Sequence, residues 1–178
     1  MMRDATRLAA GALALALLGG PASAADREDD SVLPKGRIGV WSAERLRAAD
    51  PPGLNGAIAQ VREKGEGRFA ALCERGDDKA FVAWRAPQEG RAEVRALGDE
   101  IEVVFVFDRD DRIRRTMRWD EAGRYWTTRF GRDSRLADAL RERFAMKVRA
   151  KGVKGSGGDY TLEKSWRSIE TMFEMCRM

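Results

Sequence analysis

Residues 101–119 read Ile-Glu-Val-Val-Phe-Val-Phe-Asp-Arg-Asp-Asp-Arg-Ile-Arg-Arg-Thr-Met-Arg-Trp. Ile101, Val103, Phe105 and Phe107 fall on every second position, the period at which a strand returns a side chain to one face. Val104 and Val106 occupy the other face, so this strand is apolar on both sides and is expected at the centre of a sheet. Asp108-Arg109-Asp110-Asp111 then supplies a polar turn. After it Arg112, Arg114, Thr116 and Arg118 alternate with Ile113, Arg115, Met117 and Trp119, which predicts a half-buried strand with a basic outer face. Two strands joined by so short a turn pair antiparallel, and that decides the class of fold.

Working outward, Arg68 to Arg75 and Lys79 to Arg85 are strand-like runs around the turn Gly76-Asp77-Asp78, while Arg124 to Phe130 is a further strand. Ala86 to Asp99, broken by Pro87, Gly90 and Gly98, is expected as a loop or edge strand. Nearer the N-terminus, Ile38, Val40 and Trp41 suggest a short strand. Ser42 is expected to cap a helical stretch over 43–49, which Asp50-Pro51-Pro52-Gly53 must interrupt, and Leu54, Ile58 and Val61 are spaced as on a short amphipathic helix. Leu136, Leu140, Phe144 and Val148 recur every four residues and predict a helix begun by Asp133 or Ser134. Lys151 to Gly158 reads as a mobile connector and Tyr160 with Leu162 as a last short strand. Trp166, Ile169, Met172 or Phe173, and Cys176 lie at spacings of three and four on a terminal helix. The sum is a single α+β domain over 37–178, an antiparallel meander sheet with C-terminal helices packed on one face.

The first twenty-four residues have a different character. Arg3 and Arg7, the apolar run Leu8 to Leu18, the break Gly19-Gly20-Pro21 and the small residues Ala22-Ser23-Ala24 are laid out as a cleaved signal peptide, and a periplasmic or secreted product is expected. Eleven apolar residues span about 17 Å, short of a hydrocarbon core of roughly 30 Å, and no later run is longer, so no integral membrane span is expected after cleavage. Residues 25–36, rich in Asp, Glu and Arg, read as a disordered charged tail. The remaining 154 residues carry 31 basic against 28 acidic side chains, enough chain for one core and a net charge of +3. Cys73 and Cys176 are the two cysteines, and in an oxidising compartment such a pair is expected to form a disulfide between an early strand and the terminal helix.

Histidine is absent, which removes the commonest general base, the usual partner of a serine or cysteine nucleophile, and the commonest transition-metal ligand. Asp108 to Asp111 does not continue as a calcium loop, because Ile113 and Trp119 stand where glycine and glutamate are needed. Gly152 to Gly158 lacks the Gly-Lys-Ser/Thr order of a phosphate loop. No catalytic residue, metal ligand or cofactor-binding residue is therefore expected. The feature that remains is a strip of arginines: Arg112, Arg114, Arg115, Arg118, Arg124, Arg129, Arg132 and Arg135. Of these Arg112, Arg114, Arg118, Arg124 and Arg129 are the candidates for a surface that meets an anion or a partner, since guanidinium groups match carboxylate and phosphate in shape; a solvated face balanced by Asp108, Asp110, Asp111, Asp120 and Glu121 is the plainer reading of the strip. Trp84, Trp119 and Trp126 could stack on sugar, but each lies among bulky strand residues that favour core packing.

Leu72-Cys73-Glu74, a strand ending near Trp84, a charged strand closing on Trp119, Tyr160-Thr161-Leu162 and Ser168-Ile169 followed by Cys176 together give residues 69–178 a layout that resembles small exported bacterial accessory proteins of the type VI secretion-associated (VasI-type) kind. The resemblance implies an α+β sheet, a strand-to-helix disulfide and a non-catalytic accessory or binding role, and brings no catalytic residues with it. The function expected is that of a soluble periplasmic accessory or binding protein acting through a surface on an anionic envelope component or an exported partner, with nucleic acid excluded by export. The alternatives are an envelope-polymer hydrolase built on Asp and Glu, which needs two carboxylates in one cleft, and an inhibitor of a secreted enzyme acting through the loop at 86–99 or 151–158.

Overall fold

The computed structural model describes residues 37–46, 56–76 and 79–177. The stretches expected as a signal peptide (1–24) and a charged tail (25–36), the expected proline break at 50–53, Leu54 and the turn residues Asp77 and Asp78 lie outside the described residues. Nine strands form one antiparallel sheet: β1 (Ser42–Arg45), β2 (Gly56–Arg62), β3 (Arg68–Glu74), β4 (Lys79–Arg85), β5 (Glu100–Phe107), β6 (Arg112–Asp120), β7 (Tyr125–Gly131), β8 (Ala145–Ala150) and β9 (Gly158–Thr161). Among the described residues three α-helices complete the single α+β domain: α1 (Gln88–Ala96), α2 (Arg135–Glu142) and α3 (Ser165–Cys176). The strand order is β1-β2-β3-β4-β7-β6-β5-β8-β9. Two meanders therefore meet at β4 and β7, with α1 spanning the jump from β4 to β5 and α2 carrying the chain from β7 to β8.

Flat, a sheet would hold β3 and β5 about 19 Å apart across four ladder spacings. The Phe69 and Phe105 rings on those strands are 6.0 Å apart, so the sheet curls tightly and faces itself across an apolar interior. Phe69 also meets Trp41 and Tyr160 at 6.2 and 5.8 Å. Curling brings β9 back to the other end of the sheet, where side chains close the seam. The Trp41 indole N–H donates to the Thr161 carbonyl at 2.6 Å, and the Glu63 carboxylate accepts the Asp159 N–H at 3.0 Å. These bonds occupy backbone groups that an open edge strand would leave to solvent or to another chain.

α2 and α3 pack on the inner face, where Leu136, Leu140, Ile169, Met172 and Phe173 join one buried cluster with Trp84, Phe105, Met117 and Trp126. Cys73 on β3 and Cys176 in the last turn of α3 form a disulfide that ties helix to sheet. Ser165 opens α3 with its hydroxyl 2.6 Å from the Leu140 carbonyl, which joins the two helices. A smaller cluster of Leu46, Ile58, Ala70, Leu72, Ala83 and Tyr125 is buried on the outer face of β2, β3, β4 and β7.

Several elements differ from their sequence pattern. The helices expected at 43–49 and around Ile58 are strands where described, β1 and β2. Ile58 and Val61 sit on opposite faces of β2, and both faces are buried; apolar residues three apart fit such a strand as well as a helix. The segment 86–99 is neither a loop nor an edge strand but holds helix α1 at Gln88–Ala96: Pro87 stands just before it, Gly98 with φ of +114° follows its end, and Gly90 lets α1 approach the loop after β8. The helix expected through Val148 stops at Glu142, and β8 follows. A spacing of four is also a multiple of two, so Met146 and Val148 are buried on one face of β8, while Phe144 lies just before the strand and is exposed. β5 is third from the β9 edge, and the central strand is β7. Of the residues spaced by three and four on α3, Ile169, Met172, Phe173 and Cys176 are buried but Trp166 is 50% exposed.

Candidate functional site

The outer faces of β5, β6 and β8 and the loop 151–157 enclose a hollow of about 610 Å³. Its composition follows from ladder register. Val104 of β5 is flanked by Arg114 of β6 and Arg149 of β8, and Val106 by Arg112 and Lys147. The result is a floor of valines with guanidinium groups on either side, about 7 Å apart along a strand and about 10 Å apart across two ladder spacings. Lys151, Gly152, Val153, Lys154 and Gly155 complete one wall. This loop is pinned and not a mobile connector, because the buried Ser156 hydroxyl accepts the Ala150 N–H at 3.2 Å and donates to the Val153 carbonyl at 3.0 Å. Gly152 and Gly155 supply the left-handed turns, with φ of 87° and 79°.

Charge in the hollow is unevenly spent. Lys151 pairs with Glu102 at 3.3 Å and Lys147 with Asp159 at 3.0 Å. Arg112, Arg114 and Arg149 are exposed and pair with no carboxylate among the described residues. In water, two such charges about 8 Å apart repel by about 0.5 kcal/mol, a small cost to the fold that a bound anion reverses.

The arginine strip does not survive folding as one surface. Arg112 and Arg114 reach the groove. Arg118 is bound to Glu100 at 3.1 Å, and Arg129 lies over the Phe81 ring at 5.1 Å on the outer face of β7. Arg124, at a turn with φ of 54°, lines a separate hollow of about 460 Å³ with Arg91, Arg95, Trp119 and Trp126. Arg132 and Arg141 both hold Glu170, at 2.8 and 2.9 Å, and Arg135 holds Asp111. Arg149 and Lys151 carry no sequence signal for the site, and Lys154 belongs to the loop set aside as a phosphate cradle; all three enter the groove because β8 pairs with the free side of β5.

Other candidates resolve into structural roles. Asp108 accepts the Phe144 N–H and Asp111 holds Arg135 and Arg143, so the acidic turn is spent on helix and loop anchoring. Trp84 is buried and donates to the Tyr160 hydroxyl at 3.2 Å; Trp126 is buried; Trp119 packs on Trp126 and has Arg95 over its ring at 4.8 Å. No tryptophan of this set offers a bare face for sugar. Glu63, Glu66 and Glu89 line one hollow of about 710 Å³. Burial raises the Glu63 pKa, with the Asp159 charge adding and backbone N–H groups of Asp159 and Gly67 opposing. Among the described residues no cluster of three His, Cys, Asp or Glu is placed to hold a metal, and no helix is long and apolar enough to cross a membrane.

No family model, curated protein or solved structure matches this chain.

Proposed function

We propose that this is an exported, non-catalytic accessory or binding protein that holds a multiply charged anionic component of the cell envelope in the groove between β6, β5 and β8. The observation that carries the reading is selective pairing. Within the charged strip Arg118, Arg132 and Arg135 are matched by carboxylates and Arg129 is stacked on a ring, whereas Arg112 and Arg114, joined by Arg149 of β8, pair with no carboxylate among the described residues and stand in adjacent register over one apolar floor. Guanidinium groups so spaced bind phosphate or carboxylate oxygens in pairs and gain most from a ligand that repeats its charge. Export is supported by the leader pattern and by the disulfide, which persists in oxidising compartments.

Calorimetric titration with inorganic polyphosphate tests the reading. Binding that weakens steeply with salt and is lost in the triple variant Arg112→Gln, Arg114→Gln, Arg149→Gln is expected. Equal binding by that variant would remove the groove from the function. The hydrolase alternative draws on Glu63, Glu66 and Glu89 in one hollow; release of sugar from isolated wall polymer, abolished by Glu63→Gln, would favour it.

A further inference from the structure

We infer that the anionic component is the head-group layer of a phospholipid bilayer, and that Phe144 is the side chain that enters it. The inference rests on the groove reading above and adds the class of ligand.

Phe144 is the most exposed of the large apolar side chains among the described residues, at 73%. Its exposure is not fraying. The Phe144 N–H donates to the Asp108 carboxylate at 3.1 Å, and its carbonyl accepts the Leu162 N–H at 2.8 Å, so the backbone is held on both sides and the ring is presented outward. Phe144 borders a shallow hollow of about 530 Å³ lined also by Val106, Lys147 and Arg149 and by two carboxylates, Asp108, which accepts the Phe144 N–H, and Asp159, which is paired with Lys147. Val106 and Arg149 line the basic groove as well, so phenyl ring and guanidinium groups share one continuous face. A soluble polyanion satisfies the arginines but leaves the ring in water. A bilayer surface takes both: phosphate oxygens meet Arg112, Arg114 and Arg149, and the acyl boundary a few ångströms deeper receives an aromatic side chain. Half-buried Val104 and Val106 between the arginines suit the same boundary.

Co-sedimentation of the exported form beginning at Ala25 with phosphatidylcholine vesicles, with and without phosphatidylglycerol, tests this beside the polyphosphate titration. Binding only to the phosphatidylglycerol vesicles is expected. Phe144→Ser should weaken vesicle binding roughly fivefold and leave polyphosphate binding unchanged. Arg112→Gln with Arg114→Gln should weaken both by roughly tenfold or more. Leu97→Ser, which removes an exposed apolar side chain beyond the opposite end of β5, should change neither. The protein and its variants all begin at Ala25, so the apolar leader takes no part in the comparison. Vesicle binding that ignores Phe144, needs no phosphatidylglycerol, or falls equally in Leu97→Ser would overturn the inference. Polyphosphate binding without vesicle binding would also overturn it and leave a soluble polymer or acidic protein as the occupant; loss of both would take down the groove reading itself.

Discussion

Replacing both Cys73 and Cys176 with alanine removes a crosslink that spans 103 residues of sequence. In the chain-entropy description, a loop of that length restricts the unfolded chain by about 4.7 kcal/mol at room temperature. A domain of this size is stable by only about 5–15 kcal/mol, so the bridge is a large share of the total. Native strain and residual structure in the unfolded chain reduce that figure, and a loss of about 2–4.7 kcal/mol is expected. The native state should persist, because Ile169, Met172 and Phe173 still bury α3 against the sheet. Urea unfolding followed by circular dichroism on the oxidised protein, the reduced protein and the double variant measures the effect. The last two should agree, with a lower midpoint and a steeper dependence on urea, since an uncrosslinked chain exposes more surface when unfolded. A loss below about 1 kcal/mol with unchanged slope would refute the argument, because a closed loop of this length cannot be idle unless the unfolded chain already holds its ends together.

Tyr125, pushed up to about 12 by burial with Asp120 adding, and Tyr160, held well above 10.0 by burial with Glu63 adding, should release little phenolate in the native state at about pH 11. Unfolded tyrosine ionises near pH 10, so stability is intact below that value and falls by about 1.4 kcal/mol per pH unit per tyrosine above it; ultraviolet titration should show both phenolates appearing together on unfolding, and a gradual release near pH 10 would count against the burial argument. Glu63 has a folded pKa above its unfolded one, so its contribution is full in acid and lost as pH rises through the folded value. Glu63→Gln, which keeps an oxygen for the Asp159 N–H, should therefore raise the urea midpoint at neutral pH and not in acid. Gly90→Ala puts a Cβ 2.8 Å from Ser156 Cα and 3.0 Å from the Gly155 carbonyl, so it should lower stability by about 1–2 kcal/mol; stabilisation, which helix propensity alone predicts, would show that α1 and the loop separate freely. Mass spectrometry of the protein recovered from a bacterial periplasm should give a form beginning at Ala25, and an intact leader there would contradict the export reading.

Much of the sheet was legible because a strand writes its period into the chain. Ile101 to Trp119 alternates cleanly, and β5 and β6 lie where that alternation puts them. β2 was hidden because it is buried on both faces, which erases alternation and leaves only small and apolar residues to interpret. β8 was hidden for another reason: Leu136, Leu140, Phe144 and Val148 satisfy two periods at once, and only packing separates a helix ending at Glu142 from a strand beginning at Ala145. For α1 the signal was present in Pro87 and Gly98, which punctuate a helix from outside, but Gly90 between them read as a breaker when its role is close approach.

Local sequence thus determined the antiparallel pairing at Ile101 to Trp119 and the outward set Arg112, Arg114 and Arg118, since both follow from covalent alternation within a strand. The two cysteines named the only possible intrachain crosslink. Tertiary structure alone decided which arginines share a site. Arg118 and Arg129 fell to Glu100 and Phe81 across their ladders, while Arg149, more than thirty residues from Arg114, arrived because β8 pairs with the free side of β5. Side-chain period is a property of one strand, but neighbours across a sheet are set by strand order and register, and those depend on how the whole chain buries its apolar surface.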